Sequence, residues 1–599
     1  MKEENEPLDL VKLFYSQDID FKSLESALEK RTTAAKNFSS YSLEPYRGDF
    51  GVAQKKHLLN RTVVGMAKRH LDDLDGLSLS EAIDLIFTEE TLEEPTNIYY
   101  HELSAEEFFE QTGIEDVGPN QPFIDRDVNL DVRNNSQRQN ATWAVFYDGM
   151  YHQNTSIHWK LFLFLHNLVP VVHTDGAVQI HKYFKLVFEA CFSSYKDFIY
   201  DVTTNPLMLE YLNLAFSKKE TPDENYAREI QELFTQGKRP TTQFTEEDVR
   251  GIARALVGWA TTIKGKGHVP VFRPWNHDSG DKQFSSYYNN RVIRGRSGDE
   301  GADELRDVVD MLFDTEQSAK YIVRRLYQFF VYPVVTDEIE TQIIRPLSLI
   351  FRDNNYSLVE PLKVLLSSDH FFSREIPNSI IKSPIDFTIG MMKEVDIKEG
   401  QLYHWNGNRY IYENFEPDFY GQKEKDPSHI KYYLGQRLKG DGQNLGMRIQ
   451  FPPSVSGWPA YYQAPVYDLF WINSTTFPLR SQYAEKYFVN GLYINVRIED
   501  RSVTLKADYT GYLKTFENPY AIESFIDELL YRFLAVEISA RTRARLKEAL
   551  LKGNNESHWN DEVRNLFADS PNINDYHNTT KRIGLTLSLI ATLGEYQLH

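Results

Sequence analysis

Thr245-Glu-Glu-Asp-Val-Arg-Gly-Ile-Ala-Arg-Ala-Leu-Val-Gly258 carries a full set of helix instructions, and its reading sets the fold class of the chain. Thr245 and Asp248 have the spacing of a capping box, in which the hydroxyl accepts from the third backbone N–H, and the acidic first turn suits the helix dipole. Val249, Ile252, Ala253 and Leu256 then recur at i, i+3, i+4 and i+7, and Gly258 can stop the helix. The same spacing returns at Ala319, Ile322, Val323, Leu326, Phe329 and Phe330, ending before Pro333. It returns again at Ile522, Phe525, Ile526, Leu529, Leu530 and Phe533. Leu161-Phe-Leu-Phe-Leu165 is apolar on every side, which predicts an interior helix.

Strand signals are sparse. Tyr493–Ile498 and Val503–Ala507 alternate apolar and polar residues across a four-residue connection, which predicts a two-stranded hairpin. Residues 114–140, 261–302 and 395–450 are rich in polar residues or glycine, show little periodicity, and read as long loops. The expectation is a mainly α protein: a large helical body with long loops, one small β-hairpin and a C-terminal helical subdomain. In residues, that is a helical extension at 1–45, the main body at 46–485, the hairpin insert at 486–515 and a C-terminal helical segment at 516–599.

Composition bounds the function. The chain has 599 residues, 41% hydrophobic and 25% charged, the balance of a globular protein. Its 37 Phe, 36 Tyr and 8 Trp supply large buried areas for a core. The net charge of −20, with no strongly basic segment, argues against nucleic acid as a partner. Cys191 is the single cysteine, so disulfides within the chain and Cys-based zinc sites are excluded, and its apolar setting reads as a core thiol. No run of 18 apolar residues exists to span a membrane. The first twenty residues lack the apolar stretch of a leader, which gives a cytoplasmic protein as the first expectation and an exported one, with a leader removed, as the alternative. The sequence holds no His-Glu-x-x-His, no Gly-x-Ser-x-Gly, no phosphate-cradling Gly-x4-Gly-Lys and no Gly-x-Gly-x-x-Gly.

Pro222-Asp-Glu-Asn-Tyr-Ala-Arg-Glu-Ile-Gln-Glu-Leu-Phe-Thr-Gln-Gly237 is the stretch with the most chemistry. On a helical wheel Tyr226, Ile230, Leu233 and Phe234 form an apolar stripe, while Glu224, Asn225, Arg228, Glu229 and Glu232 gather opposite. Charge runs on amphipathic helices are usually solvated faces. Carboxylates at i, i+3, as in Glu229 and Glu232, can also share a metal or a proton with a second element.

This stretch resembles the hallmark of the domain-of-unknown-function 1800 family. The resemblance continues through His57-Leu-Leu-Asn-Arg61 with Gly65, Leu163-Phe-Leu-His-Asn167, and Val249 to Trp259. It extends over His277-Asp-Ser-Gly-Asp-Lys282, Ala319 to Phe330, Pro452-Pro-Ser-Val-Ser-Gly-Trp-Pro459 and Glu595-Tyr-Gln597. It implies an uncharacterised bacterial protein from a group with many exported members and no established activity. The chain departs from the family pattern at His166-Asn167-Leu168, where members read His-Asn-His, so a ligand pair built on the second histidine is in doubt.

Two functions fit these residues. One is a metal-assisted hydrolase or oxidoreductase, with His166, Glu229, Glu232 and His277 holding a divalent metal and Glu229, Glu232, Arg228, His277 and Asp278 as catalytic groups. His166 follows an apolar helix, and a lone histidine there is as readily a hydrogen-bonded core residue. His277 and Asp278 lie in a loop region where catalysis and local capping are equal readings. The other function is a non-catalytic scaffold for a protein partner, with the charged helix as a buried salt-bridge network around Arg228. Trp458 and its flanking prolines read as a structural lock.

Overall fold

The computed structural model describes residues 29–599 apart from 98–108, 111–120, 125–134, 173–175, 239–241, 265–266, 396, 398–400, 406–409, 415–426, 499–500 and 569–571. Part of the predicted N-terminal extension and most of the 114–140 loop therefore lie outside the described residues. Helices dominate, as the periodicity requires. The capping box forms as read: Thr245 Oγ1 accepts from Asp248 N at 3.2 Å, and the helix runs Glu246–Leu256. The other two periodic segments become Glu316–Phe330 and Ile522–Phe533. Helix His158–Leu168 is buried along its whole length, as its continuous apolar run demands.

One continuous hydrophobic cluster runs from Ala35 to Leu598 and includes residues of every predicted segment from the body to the C-terminal helices. Helix Ile573–Ala591 packs against Thr476–Glu485 and the turn Lys486–Asn490. Leu598 bridges Ile381 antiparallel, and Lys382 N donates to Gln597 O at 2.8 Å. The other end of the described chain is fastened by Arg31, whose Nη1 and Nη2 lie 2.6 and 2.8 Å from the two carboxylate oxygens of Asp468 in the interior. Bidentate geometry of this kind sets position as well as energy.

The sheets exceed the sequence reading. The expected hairpin is present as Leu492–Ile498 and Arg501–Leu505, but it is half of a four-stranded antiparallel sheet. The added strands, Gln401–Trp405 and Tyr410–Asn414, join through Leu402 opposite Leu505 and Tyr403 opposite Thr504. They come from the 395–450 stretch read as loop, which also contains helix Pro427–Asn444, packed on Asn135–His152. The 261–302 stretch likewise holds hairpin Trp259–Lys264 with Gly267–Phe272, and a small ladder Lys282–Gln283 with Val292–Ile293. Short strands carry too few residues for periodicity to register, so pairing decided them. Among the described residues no helix is long and apolar enough to cross a membrane.

One close backbone crossing joins the N-terminal part of the body to its middle. Gly65 has φ +64°, and a Cβ there would fall 2.4 Å from Gly390 N on helix Pro384–Glu394. Only glycine permits that contact. It lays residues 64–69 across the C-terminal half of the helix, beside Lys393 and Glu394.

Candidate functional site

The hallmark helix is α-helical over Asn225–Glu229 and then winds into a π turn over Ile230–Thr235. The wider turn directs the polar residues Gln231, Thr235 and Gln236 inward, where all three are fully buried. Gln231 accepts from Tyr288 OH at 2.8 Å, and Gln236 accepts from Tyr287 OH at 2.9 Å and from Thr315 Oγ1 at 2.8 Å. The amides thus tie the helix to the 285–288 turn and to the cap of Glu316–Phe330. Glu229 and Glu232 stay half-buried on the other side. Burial, then the neighbouring Glu232, raises the Glu229 carboxyl, with Lys238 and Arg228 opposing.

Arg228 lies 2.7 Å from Glu246, 3.1 Å from Glu224 and 4.0 Å from Glu232, with 32% of its side chain exposed. The network exists but sits at the surface, which corrects the expectation of a buried one. Arg228→Ala should therefore lower unfolding free energy by less than about 1 kcal/mol in urea titrations, since exposed pairs trade little Coulomb energy against ordering. A loss of several kcal/mol would refute this assignment.

The structure does not gather the imidazoles beside these acids. His166 is fully buried among Phe162, Phe184 and Trp458, and its Nε2 lies 2.6 Å from Ile449 O, so that nitrogen donates. Burial pushes its pKa down to about 4. Asn167 does not orient it; Asn167 Oδ1 accepts from Trp458 N at 2.8 Å, and Gly457, at φ +79°, passes directly over Asn167. The Trp458 segment is the lock the sequence predicts.

His277 has both nitrogens engaged, Nδ1 on Val257 O at 2.7 Å and Nε2 on Glu304 Oε1 at 3.1 Å. Glu304, itself fully buried, takes Lys282 Nζ at 2.5 Å on its other oxygen. Asp278 accepts from Arg254 Nε at 2.6 Å and from Gly280 N at 2.9 Å, the geometry of a local cap. Each residue is consumed by its own partners. Among the described residues no group of three or more His, Cys, Asp or Glu side chains is arranged to hold a metal ion.

The chemistry that the fold does assemble lies at the Gly65–Gly390 crossing. A cleft of about 410 Å³ opens there. Ala67, Lys68, Arg69 and Asp72 form one wall, Tyr151 and His152 close a second, and Lys393, Glu394 and Val395 end helix Pro384–Glu394 at its base. The last wall is Asp508, Gly511, Tyr512 and Thr515 around helix Tyr509–Lys514, with Arg532 from Ile522–Phe533. Five segments separated by up to several hundred residues meet there, which is the usual habitat of a ligand site.

Glu394 is 8% exposed and accepts from Tyr512 OH at 3.1 Å. Burial pushes its carboxyl up to about 7, against the opposing pull of Arg532, the Tyr512 hydroxyl, the Lys68 N–H and Lys56. Desolvation of the charged form wins because the carboxylate has left water while the cations are shared with other partners. Arg532 is held by Glu528 at 2.5 Å and by Thr515 O at 2.7 Å, and Lys68 by Asp72 at 2.7 Å.

Arg69 and Lys393 are placed differently. Arg69 Nη2 donates to Tyr151 O at 3.0 Å and Gln153 O at 3.2 Å, and Lys393 Nζ donates to Val64 O at 2.6 Å. Among the described residues neither forms an ion pair with a carboxylate. Burial, reinforced by Arg69, drives the Lys393 ammonium well below its ordinary value, with Glu90 and Asp386 opposing. The arrangement places a carboxyl whose pKa is pushed up to about 7 in one cleft with a guanidinium and an amine that hydrogen-bond to backbone carbonyls, and Glu90 is the carboxylate whose charge acts on both. Sequence reading missed it. Met391-Met-Lys-Glu-Val395 carries no motif, and the only pointer nearby was Gly65 in a matched block.

A family model described as a protein of unknown function, DUF1800, matches residues 57–598. No curated protein and no solved structure gives a significant match.

Proposed function

Because the chain belongs to that family, whose description names no activity, its chemistry has to be argued from its own residues, and we propose that the cleft is a small-molecule site for general acid–base chemistry on an organic anion. The observation that carries this reading is Glu394, a carboxyl lining an open cleft with its pKa pushed up to about 7. A proton-transfer group works best when its pKa lies near the working pH, and strongly shifted groups in clefts cluster at functional sites. Arg69 supplies the anion contact: a guanidinium held only by carbonyls keeps donors for a bidentate carboxylate or phosphate. Tyr512 fixes the Glu394 carboxyl through its hydroxyl. The reaction class that fits is proton abstraction or donation at a carbon or oxygen near an anionic group, with no step assigned to His166 or His277.

A thermal-shift panel of small carboxylates and phosphates at pH 7 tests this. A ligand at a hundredfold excess over its Kd stabilises by about 2.7 kcal/mol. At least one anion should raise Tm, and Arg69→Ala should abolish that rise when each protein is measured against its own unliganded Tm. If no anion moves Tm, or if the rise survives Arg69→Ala, the reading is wrong.

A further inference from the structure

Resting on that acid–base reading, we propose that Lys393 is an amine nucleophile and that the cleft takes a small 2-oxo acid, whose carbonyl condenses with Lys393 while its carboxylate meets Arg69. Lys393 and Glu394 are consecutive residues at the end of one helix and both border the cleft, with Lys393 Nζ on Val64 O and the Glu394 carboxyl on Tyr512 OH. Lys393 Nζ is held by Val64 O rather than by a carboxylate; burial first, then the Arg69 guanidinium and Lys160, disfavour its charge, with Glu90 and Asp386 opposing. A buried amine in that position is favoured as the free base, and an anion arriving beside it has the Arg69 guanidinium to meet. A 2-oxo acid uses both: its carboxylate supplies the counter-charge, and its carbonyl carbon requires the free amine.

Lys68, the other lysine of the cleft, is half-buried and bound to both oxygens of Asp72 at 2.7 Å, so its ammonium already has a counter-ion. Lys56 donates to Tyr531 O and Leu534 O and does not line the cleft. The choice of nucleophile is therefore made by position.

The step balances. The neutral Lys393 amine attacks the carbonyl carbon, a C–N bond forms, and the C=O π pair moves to oxygen. That oxygen receives the proton that nitrogen gives up, which yields a neutral carbinolamine. Glu394, protonated, then donates its proton to the hydroxyl. The C–O bond breaks, water leaves, and the nitrogen lone pair closes a C=N bond that carries positive charge. Glu394 is left as the carboxylate beside that cation, and it can later take a proton from the adjacent carbon. No oxidant or reductant is involved.

The test is reductive trapping of the full chain with glyoxylate or pyruvate and cyanoborohydride, read by intact mass and peptide mapping. One adduct per chain is expected, located at Lys393 and formed at least about tenfold faster than at Lys68, whose ammonium is tied to both oxygens of Asp72 and so is a poor nucleophile. Lys393→Arg should remove that adduct and Lys68→Arg should leave it. Should Lys393→Arg fail to fold, competition on the native protein decides instead: propionate, which has the carboxylate and lacks the carbonyl, should slow trapping at Lys393 and not at surface lysines. Adducts scattered over surface lysines with none at Lys393 would overturn the proposal. The two readings fail separately. An anion that raises Tm through Arg69 without any adduct would remove the nucleophile and leave the anion site; no Tm rise and no adduct would remove both.

Discussion

Asp386→Ala should destabilise the protein by about 3–5 kcal/mol, the cost of leaving a buried charge without its partner. Asp386 Oδ1 accepts from Lys160 Nζ at 2.6 Å and from Gly65 N at 3.3 Å, and Oδ2 accepts from Ser383 Oγ at 2.8 Å. The side chains of Lys160 and Asp386 are 5% and 6% exposed. Burial lowers the Lys160 pKa, Asp386 works against that, and the nearby Arg61 adds to the lowering. With the carboxylate gone, the Lys160 ammonium would face desolvation and a cationic neighbour together, and the Gly65 turn would lose its anchor on helix Pro384–Glu394. Urea titration at pH 7 measures the loss. A cost below about 1 kcal/mol would mean that the interior readily readmits water. The double variant Lys160→Met/Asp386→Ala should recover more than half of the loss, because it removes the orphaned charge.

The second large effect is a gain. Glu394→Gln should make the protein more stable at pH 8, by up to about 3 kcal/mol, and nearly neutral at pH 4.5. The sign comes from linkage. The folded carboxyl titrates at about 7, above its ordinary 4.5, so the folded state holds its proton more tightly than the unfolded chain. Below 4.5 both states are protonated and nothing is lost. Between 4.5 and about 7 stability falls with rising pH, and above about 7 the penalty is constant. Each pH unit between the two values is worth about 1.4 kcal/mol, which sets the size. Glutamine keeps the shape and an acceptor for Tyr512 OH without the charge. Denaturation at pH 5 and pH 8 checks it: a wild-type-to-variant difference that does not change with pH would show that Glu394 titrates normally. A residue kept at a net cost to folding is what a working site is expected to contain.

The helices were legible because their information is local. Thr245–Leu256 contains its own cap, apolar stripe and stop, and the structure forms it within those limits. The interior position of Leu161–Leu165 came from an apolar run with no polar face to offer water. The strands at 401–405 and 410–414 were not legible, since each short strand finds its partner in the other or in Arg501–Leu505, about a hundred residues away. The candidate chemistry was read from residue types. His277 was read as a metal or catalytic group with local capping as the equal alternative, and the partner it meets in the structure, Glu304, lies 27 positions on, beyond the reach of a local motif.

By itself the sequence determined the fold class, the limits of self-contained helices such as Glu246–Leu256, the absence of disulfides within the chain and the apolar stripe of the hallmark segment, all properties of spacing or composition. The tertiary structure alone decided which charged groups leave water. Lys393 and Glu394 look like an ordinary helix end in the sequence; in the fold, where Gly65 lets a distant turn lie across Gly390, both are buried, and burial lowers the one pKa and raises the other. A pKa is set by everything within a few ångströms, and the chain specifies those neighbours only by folding.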